Sequence, residues 1–134
     1  MDEETHQSGS KKYAELAMKN NEKHYFAVET DEGAAVPVGF SLQGTDQQLV
    51  SIEKYQKSLR PYGIYYIEKG YGGVDLQGLK TFNIPMISLV PDNSTYFNFH
   101  HSANDLFKNV NEREMQLGSA AIAALIYLID GSGY

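Results

Sequence analysis

His24-Tyr25-Phe26-Ala27-Val28-Glu29-Thr30 is a run of aromatic, β-branched and apolar residues, closed by the polar turn Asp31-Glu32-Gly33. Such a run reads as a mostly buried strand, because branched and aromatic side chains pack well on a pleated surface and Asp and Gly end it. Upstream, Ser8-Gly9-Ser10 marks a helix start, and Tyr13, Leu16 and Ala17 recur at helical spacing over residues 11–20 before Asn20-Asn21 stops them. Downstream, residues 33–44 contain Gly33, Gly39, Gly44 and Pro37, which predicts a loop or irregular segment. Thr45 and Gln48 form a capping box, and Leu49, Ile52, Tyr55 and Leu59 then line one helical face up to Arg60-Pro61. Gly63 to Tyr71 predicts another strand, Gly72-Gly73 a flexible turn, and Asp75 to Thr81 a short helix. Met86 to Val90, after Pro85, predicts a third short strand. Residues 91–110 read as irregular and aromatic. Asn111 and Glu114 make a second capping box, opening a helix to about Ile129, with Gly131-Ser132-Gly133 past its end. Leu117, Ala121, Leu125 and Leu128 fall on one stripe of that helix and are expected to be buried. Strands alternating with helices predict a three-layer α/β fold, with a mixed, mostly parallel sheet flanked by helices.

The chain's 134 residues fit one domain or part of one, and its 42% hydrophobic and 21% charged residues suit a globular core. The net charge of −6 and a pI near 5.1 argue against nucleic acid as a partner, because phosphate binding needs clustered Lys and Arg. The longest basic run is Lys11-Lys12. The absence of cysteine excludes disulfides, thiol catalysis and zinc ribbons. The start, Met1-Asp2-Glu3-Glu4, is acidic and does not read as a signal peptide. The most apolar stretch, Ala120 to Ile129, is too short to span a membrane and reads as a buried helix.

Three clusters could carry chemistry. Glu3-Glu4 places two carboxylates side by side. A metal would relieve their repulsion, one ligating it while the other takes a proton from metal-bound water; the pair also reads as a solvated acidic terminus. Asp31, directly after a strand, is placed to ligate a metal or to cap an ordinary turn. His100-His101 offers imidazole, a common metal ligand, with Asp105 near enough in sequence to orient it; the alternative is a pair of loop histidines satisfied by backbone. Gly72-Gly73-Val74-Asp75 could cradle a ligand with backbone amides or simply form a tight turn, and it lacks the Lys-Ser/Thr of a P-loop. No Gly-x-Ser-x-Gly nucleophile motif is present.

In order, these segments resemble the M28 zinc peptidases of the aminopeptidase and carboxypeptidase Q type. Glu3-Glu4 and the helix after it are similar to the family's Asn-Glu-Glu segment, and Val28-Glu29-Thr30-Asp31 to its Ile-Glu-Ser-Asp strand end. Gly72-Gly73-Val74-Asp75 resembles its Gly-Gly-x-Asp loop, and Ile84-Pro85-Met86 its Val-Pro strand. Tyr96-Phe97-Asn98-Phe99-His100-His101-Ser102-Ala103-Asn104-Asp105 resembles Tyr-Phe-Asp-Tyr-His-His-Thr-x-x-Asp, the most specific of the set. The resemblance implies a two-zinc exopeptidase site acting on peptide substrates. It makes Glu3 the general base and Glu4, Asp31 and His101 zinc ligands. Asp105, Gly72, Gly73 and Asp75 become residues that orient the ligands or belong to a substrate loop.

The chain departs from the family where it matters most. The first ligand histidine and the bridging aspartate of the family lie upstream of Glu3, and Met1 precedes Glu3 by two positions. Residues 1–134 are therefore expected to be the C-terminal part of a zinc peptidase catalytic domain, holding at most one zinc and inactive in isolation. Ser102 and Leu106 also stand where the family has Thr. Two alternatives remain at this stage: a non-catalytic α/β module that oligomerises through an exposed sheet edge, and a single-zinc protein like the glutaminyl cyclases. Family members are often exported; the chain's own compartment is left open by its sequence.

Overall fold

Met86–Pro91 (β4) is the strand on which the fold is hung, and it is buried along nearly all its length. A strand covered on both faces reads as a continuous apolar run, as Met-Ile-Ser-Leu-Val does. The computed structural model of the protein describes residues 5–132, and among these β4 has neighbours on both sides. Ala27–Glu29 (β1) runs parallel to it, with Ala27 opposite Met86 and Glu29 opposite Ser88. Pro37–Gln43 (β2) runs antiparallel to it, with Phe40 opposite Leu89 and Leu42 opposite Ile87. Tyr66–Lys69 (β3) lies parallel to β2 on the far side, giving the order β1-β4-β2-β3. The sheet is mixed, and two of its three pairings are parallel.

β2 corrects the expectation of a loop over residues 33–44. Pro37 sits at the strand's first position, where a missing N–H is tolerated. Gly39 is required because the ring of Tyr66, its partner across the parallel pairing, occupies the space of a side chain there. The apolar residues Phe40 and Leu42 then alternate with Ser41 and Gln43, a half-buried strand pattern that the Gly and Pro disguised. β1, by contrast, is shorter than the run His24–Thr30. Tyr25 is exposed, and the ring of His24 packs edge-on against Phe82 instead of entering the sheet.

Helices cover both faces. On one, Phe40, Leu42, Ile87 and Leu89 meet Ile52 of Asp46–Glu53 (α2), Leu59 of Gln56–Leu59 (α3) and Ala121, Leu125 and Ile129 of Glu112–Gly131 (α4). On the other, Met86 meets Ala14 of Ser8–Lys19 (α1), together with Leu79 and Ile84. The three-layer α/β fold expected from the sequence is present. Thr45 and Gln48 exchange hydrogen bonds at the start of α2 as expected, while at the start of α4 only the Asn111 half of the expected box is seen, its Oδ1 accepting from the Arg113 and Glu114 amides. The helix expected from Thr45 to Leu59 is broken at Lys54-Tyr55, where the Tyr55 N–H donates to Ile52 O in an i→i+3 turn.

The buried stripe of α4 is Ala121, Leu125 and Ile129, while Leu117 and Leu128 are only half-buried. Leu125→Ala is therefore expected to lower the unfolding free energy by about 2–5 kcal/mol, the range for a core leucine. Tyr127→Ala, on the exposed side of the same helix, should change it by no more than about 0.5 kcal/mol. Urea denaturation of both variants checks this, and equal effects would contradict the packing.

Candidate functional site

Because β1 and β4 are parallel neighbours, their carboxyl ends open on the same edge of the sheet. Asp31 follows β1 there. The segment 31–36 then passes over the end of β4 to begin β2, and the Asp92 N–H donates to Val36 O (2.8 Å) as the two chains cross. After β4, Asp92 caps a 3-10 helix at Asn93–Asn98 by accepting from the Ser94 amide (2.9 Å), which draws its carboxyl below the usual carboxylate range. Asn93 in turn donates to Glu32 Oε2 (2.9 Å), tying the two crossings together.

Between these crossings and the start of α4 lies a cleft of about 250 Å³. Asp31, Glu32, Asp92, Asp105 and Glu114 line it with His100, and among its described lining residues there is no Lys or Arg. Phe99, Leu106 and Val110 form its apolar side. Its charge suits a cation, whether a metal ion or an ammonium group.

The histidine segment is wound tightly by its own backbone. The Ser102 hydroxyl donates to Phe99 O (2.7 Å), the Asp105 N–H donates to Ser102 O (3.1 Å), and His101 adopts a left-handed conformation with φ 51°. That conformation is uncommon outside glycine, and histidine is among the residues enriched there. The His100 ring stacks on Tyr96 at 4.6 Å and faces the cleft, whereas His101 is not among the lining residues; its ring lies 4.0 Å from that of His100.

The structure thus brings Asp31, His100 and Asp105 into one cleft, with His101 against His100. Glu3 and Glu4 lie outside the described residues. Carboxylate and imidazole are donors that zinc accepts. Among the described residues, however, no three His, Asp or Glu side chains gather closely enough to hold a metal. Alone, they do not make a zinc site.

Gly72, Gly73 and Asp75 do not line the cleft. The amides of Val74, Asp75 and Leu76 donate to the carboxylate of Glu29 (3.1, 3.0 and 3.3 Å), so the cradle read from the sequence as a ligand loop is filled from within the fold. Gly73, at φ +112°, is required there, since a side chain would overlap the Glu29 carboxylate. Sequence reasoning missed Glu29. The two glycines before Asp75 signalled an amide cradle, and nothing local named its occupant. Burial pushes the Glu29 carboxyl up, the Val74 and Asp75 amides pull it down, the Asp75 charge adds to the rise, and burial prevails.

The likeness to the M28 peptidases read from the sequence stands on comparison with known proteins. The chain is 29% identical to carboxypeptidase Q of Bos taurus and 26% identical to that of Homo sapiens, each over 121 residues and 90% of its length. It superposes on the crystal structure of a peptidase M28 precursor from Shewanella amazonensis SB2B with a TM-score of 0.77 and 30% identity, over 92% of its length. It spans about a quarter of each relative: 26% of the carboxypeptidases Q and 28% of the Shewanella chain. No protein-family profile matches the chain. None of its described helices is long and apolar enough to cross a membrane.

The raised pKa of Glu29 has a consequence for stability. The fold favours its protonated form, so its contribution is fully present below the unfolded value of about 4.3 and is lost as pH rises through the folded value. A carbon-detected titration of the Glu29 carboxyl should show a midpoint above about 4.3. A midpoint at or below that value would mean that the three amides outweigh burial.

Proposed function

We propose that the chain forms the part of a zinc-dependent exopeptidase catalytic domain that carries one wall of the substrate cleft and most of one metal's ligands. The observation that carries this reading is that Asp31 and His100 line one cleft at the adjacent carboxyl ends of two parallel strands, with the His101 ring against that of His100. In open α/β sheets this edge is where ligands bind. Glu4, Asp31 and His101 are the proposed ligands, and Glu3 is the proposed general base. Zinc, when bound, supplies a Lewis acid for the scissile carbonyl and lowers the pKa of water. The protein's own part is to present its donors on a rigid edge and to surround the cleft with carboxylates. Those carboxylates favour the free amino end of a peptide over its carboxylate end. The apolar side formed by Phe99, Leu106 and Val110 gives a substrate side chain somewhere to lie.

Calorimetry of the 134-residue chain with zinc tests the reading. We expect one site with a dissociation constant of about a micromolar or tighter, and a loss of at least about tenfold in Asp31→Ala and in His101→Ala. Because His100, not His101, lines the cleft, His100→Ala belongs in the same series and shows which ring binds. Binding that none of these changes weakens, or no binding at all, would leave a non-catalytic α/β module.

The same chain should release no measurable amino acid from peptide anilides. The resemblance places the family's bridging aspartate upstream of Glu3, so we propose that these 134 residues alone do not hold a second metal beside the first. Robust, chelator-sensitive hydrolysis would overturn the assignment of roles.

A further inference from the structure

Glu29 is half-buried and takes no part in the chemistry proposed above, yet its carboxylate accepts three backbone hydrogen bonds. Its Oε1 accepts from the Val74 amide, and its Oε2 accepts from the amides of Asp75 and Leu76. Among the described residues, its hydrogen-bond donors are backbone amides and none is a Lys or Arg. Backbone amides offset its charge, as they do in anion-binding nests. Both of its oxygens accept in this arrangement. In a glutamine, one of them becomes an NH2 group that can only donate, and it would face amide donors.

The loop it grips is held from the other side as well. Gln43, at the end of β2, accepts from the Gly72 amide (3.2 Å) and from Gln77 Nε2 (3.0 Å), and Gln77 donates to Gly73 O (2.6 Å). Gly72 lies so close over Met86 that a side chain there would overlap the backbone of β4. The 72–77 segment is thus fastened to β2 by Gln43, pressed on β4 at Met86, and fastened to β1 by Glu29.

β1 needs such a fastening. It is three residues long and, among the described residues, is hydrogen-bonded within the sheet to β4 alone. A short edge strand paired on one side frays easily. Asp31 is only two residues beyond Glu29, and the 31–35 segment forms one wall of the cleft.

From these contacts we infer that Glu29 is a positioning residue: by gripping the amides of residues 74–76 it fixes the end of β1, and through it the Asp31–Ala35 wall of the cleft. The inference rests on the zinc-peptidase reading for its consequence, since a displaced Asp31 would be a poorer ligand. Partners that orient a metal's ligands typically change affinity by about tenfold to a hundredfold when removed.

Amide hydrogen exchange and zinc calorimetry on wild type, Glu29→Gln and Asp31→Ala test it together. In Glu29→Gln, exchange should quicken by about tenfold or more at residues 74–76 and also at 31–35, with α4 unchanged. Zinc affinity should fall by about tenfold or more in the same variant. If residues 74–76 loosen while 31–35 keep their wild-type exchange and zinc affinity is unchanged, the inference is wrong. If Glu29→Gln does not fold, Gly73→Ala, whose Cβ would overlap the carboxylate, must give the same pattern of exchange or the inference fails. If the wild type binds no zinc, the zinc-peptidase reading falls, and exchange at 31–35 alone decides whether Glu29 positions the wall.

Discussion

The parallel pairing of β1 with β4 is the constraint on which the rest of the structure depends. Parallel neighbours deliver their carboxyl ends to one edge, so whatever follows them in sequence must begin its course there. After β1 the chain reaches β2 by crossing over the end of β4, and after β4 it turns back over that crossing. The cleft is the space these two paths leave between them. Asp31 and His100 are some seventy residues apart in sequence and line one cleft only because of this topology.

Hydrophobic burial holds the pairing in place. β4 supplies side chains to both layers: Ile87 and Leu89 to the core beneath α2, α3 and α4, and Met86 to the cluster with α1. A slip of one residue in β4 would exchange these sets and place each against the wrong helices, so burial on both faces fixes the register strongly. The cleft edge needs a different kind of fastening, because a cleft cannot be filled with apolar side chains. There the structure uses polar links: Asp92 to Val36, Asn93 to Glu32, and Glu29 to the 74–76 amides.

Much of this was legible in the sequence. β4 and α4 stood out because their apolar residues follow the periods of a buried strand and an amphipathic helix, and both caps were marked by residue types that act locally. The Asp31 turn and the histidine segment were legible because each follows a strand. β2 was not, since its Pro37 and Gly39 are explained only by the neighbouring strands: the first by its place at the strand's start, the second by the Tyr66 ring over it. The partner of the Gly72-Gly73 loop was hidden for the same reason, because Glu29 lies more than forty residues away and meets it through the fold. Which histidine faces the cleft depends on the left-handed turn at His101, and spacing carries no trace of that.

The central claim is that Asp31 and the His100-His101 pair share one metal-binding edge. Mapping backbone and side-chain NMR shifts during a zinc titration of the chain tests it most directly. The account predicts that the first equivalent moves resonances at residues 31–35 and 96–105 and in the two histidine rings, and leaves α4 beyond its first turn unchanged. Shifts confined to His6 or His24, or scattered over surface carboxylates with no saturation, would contradict it.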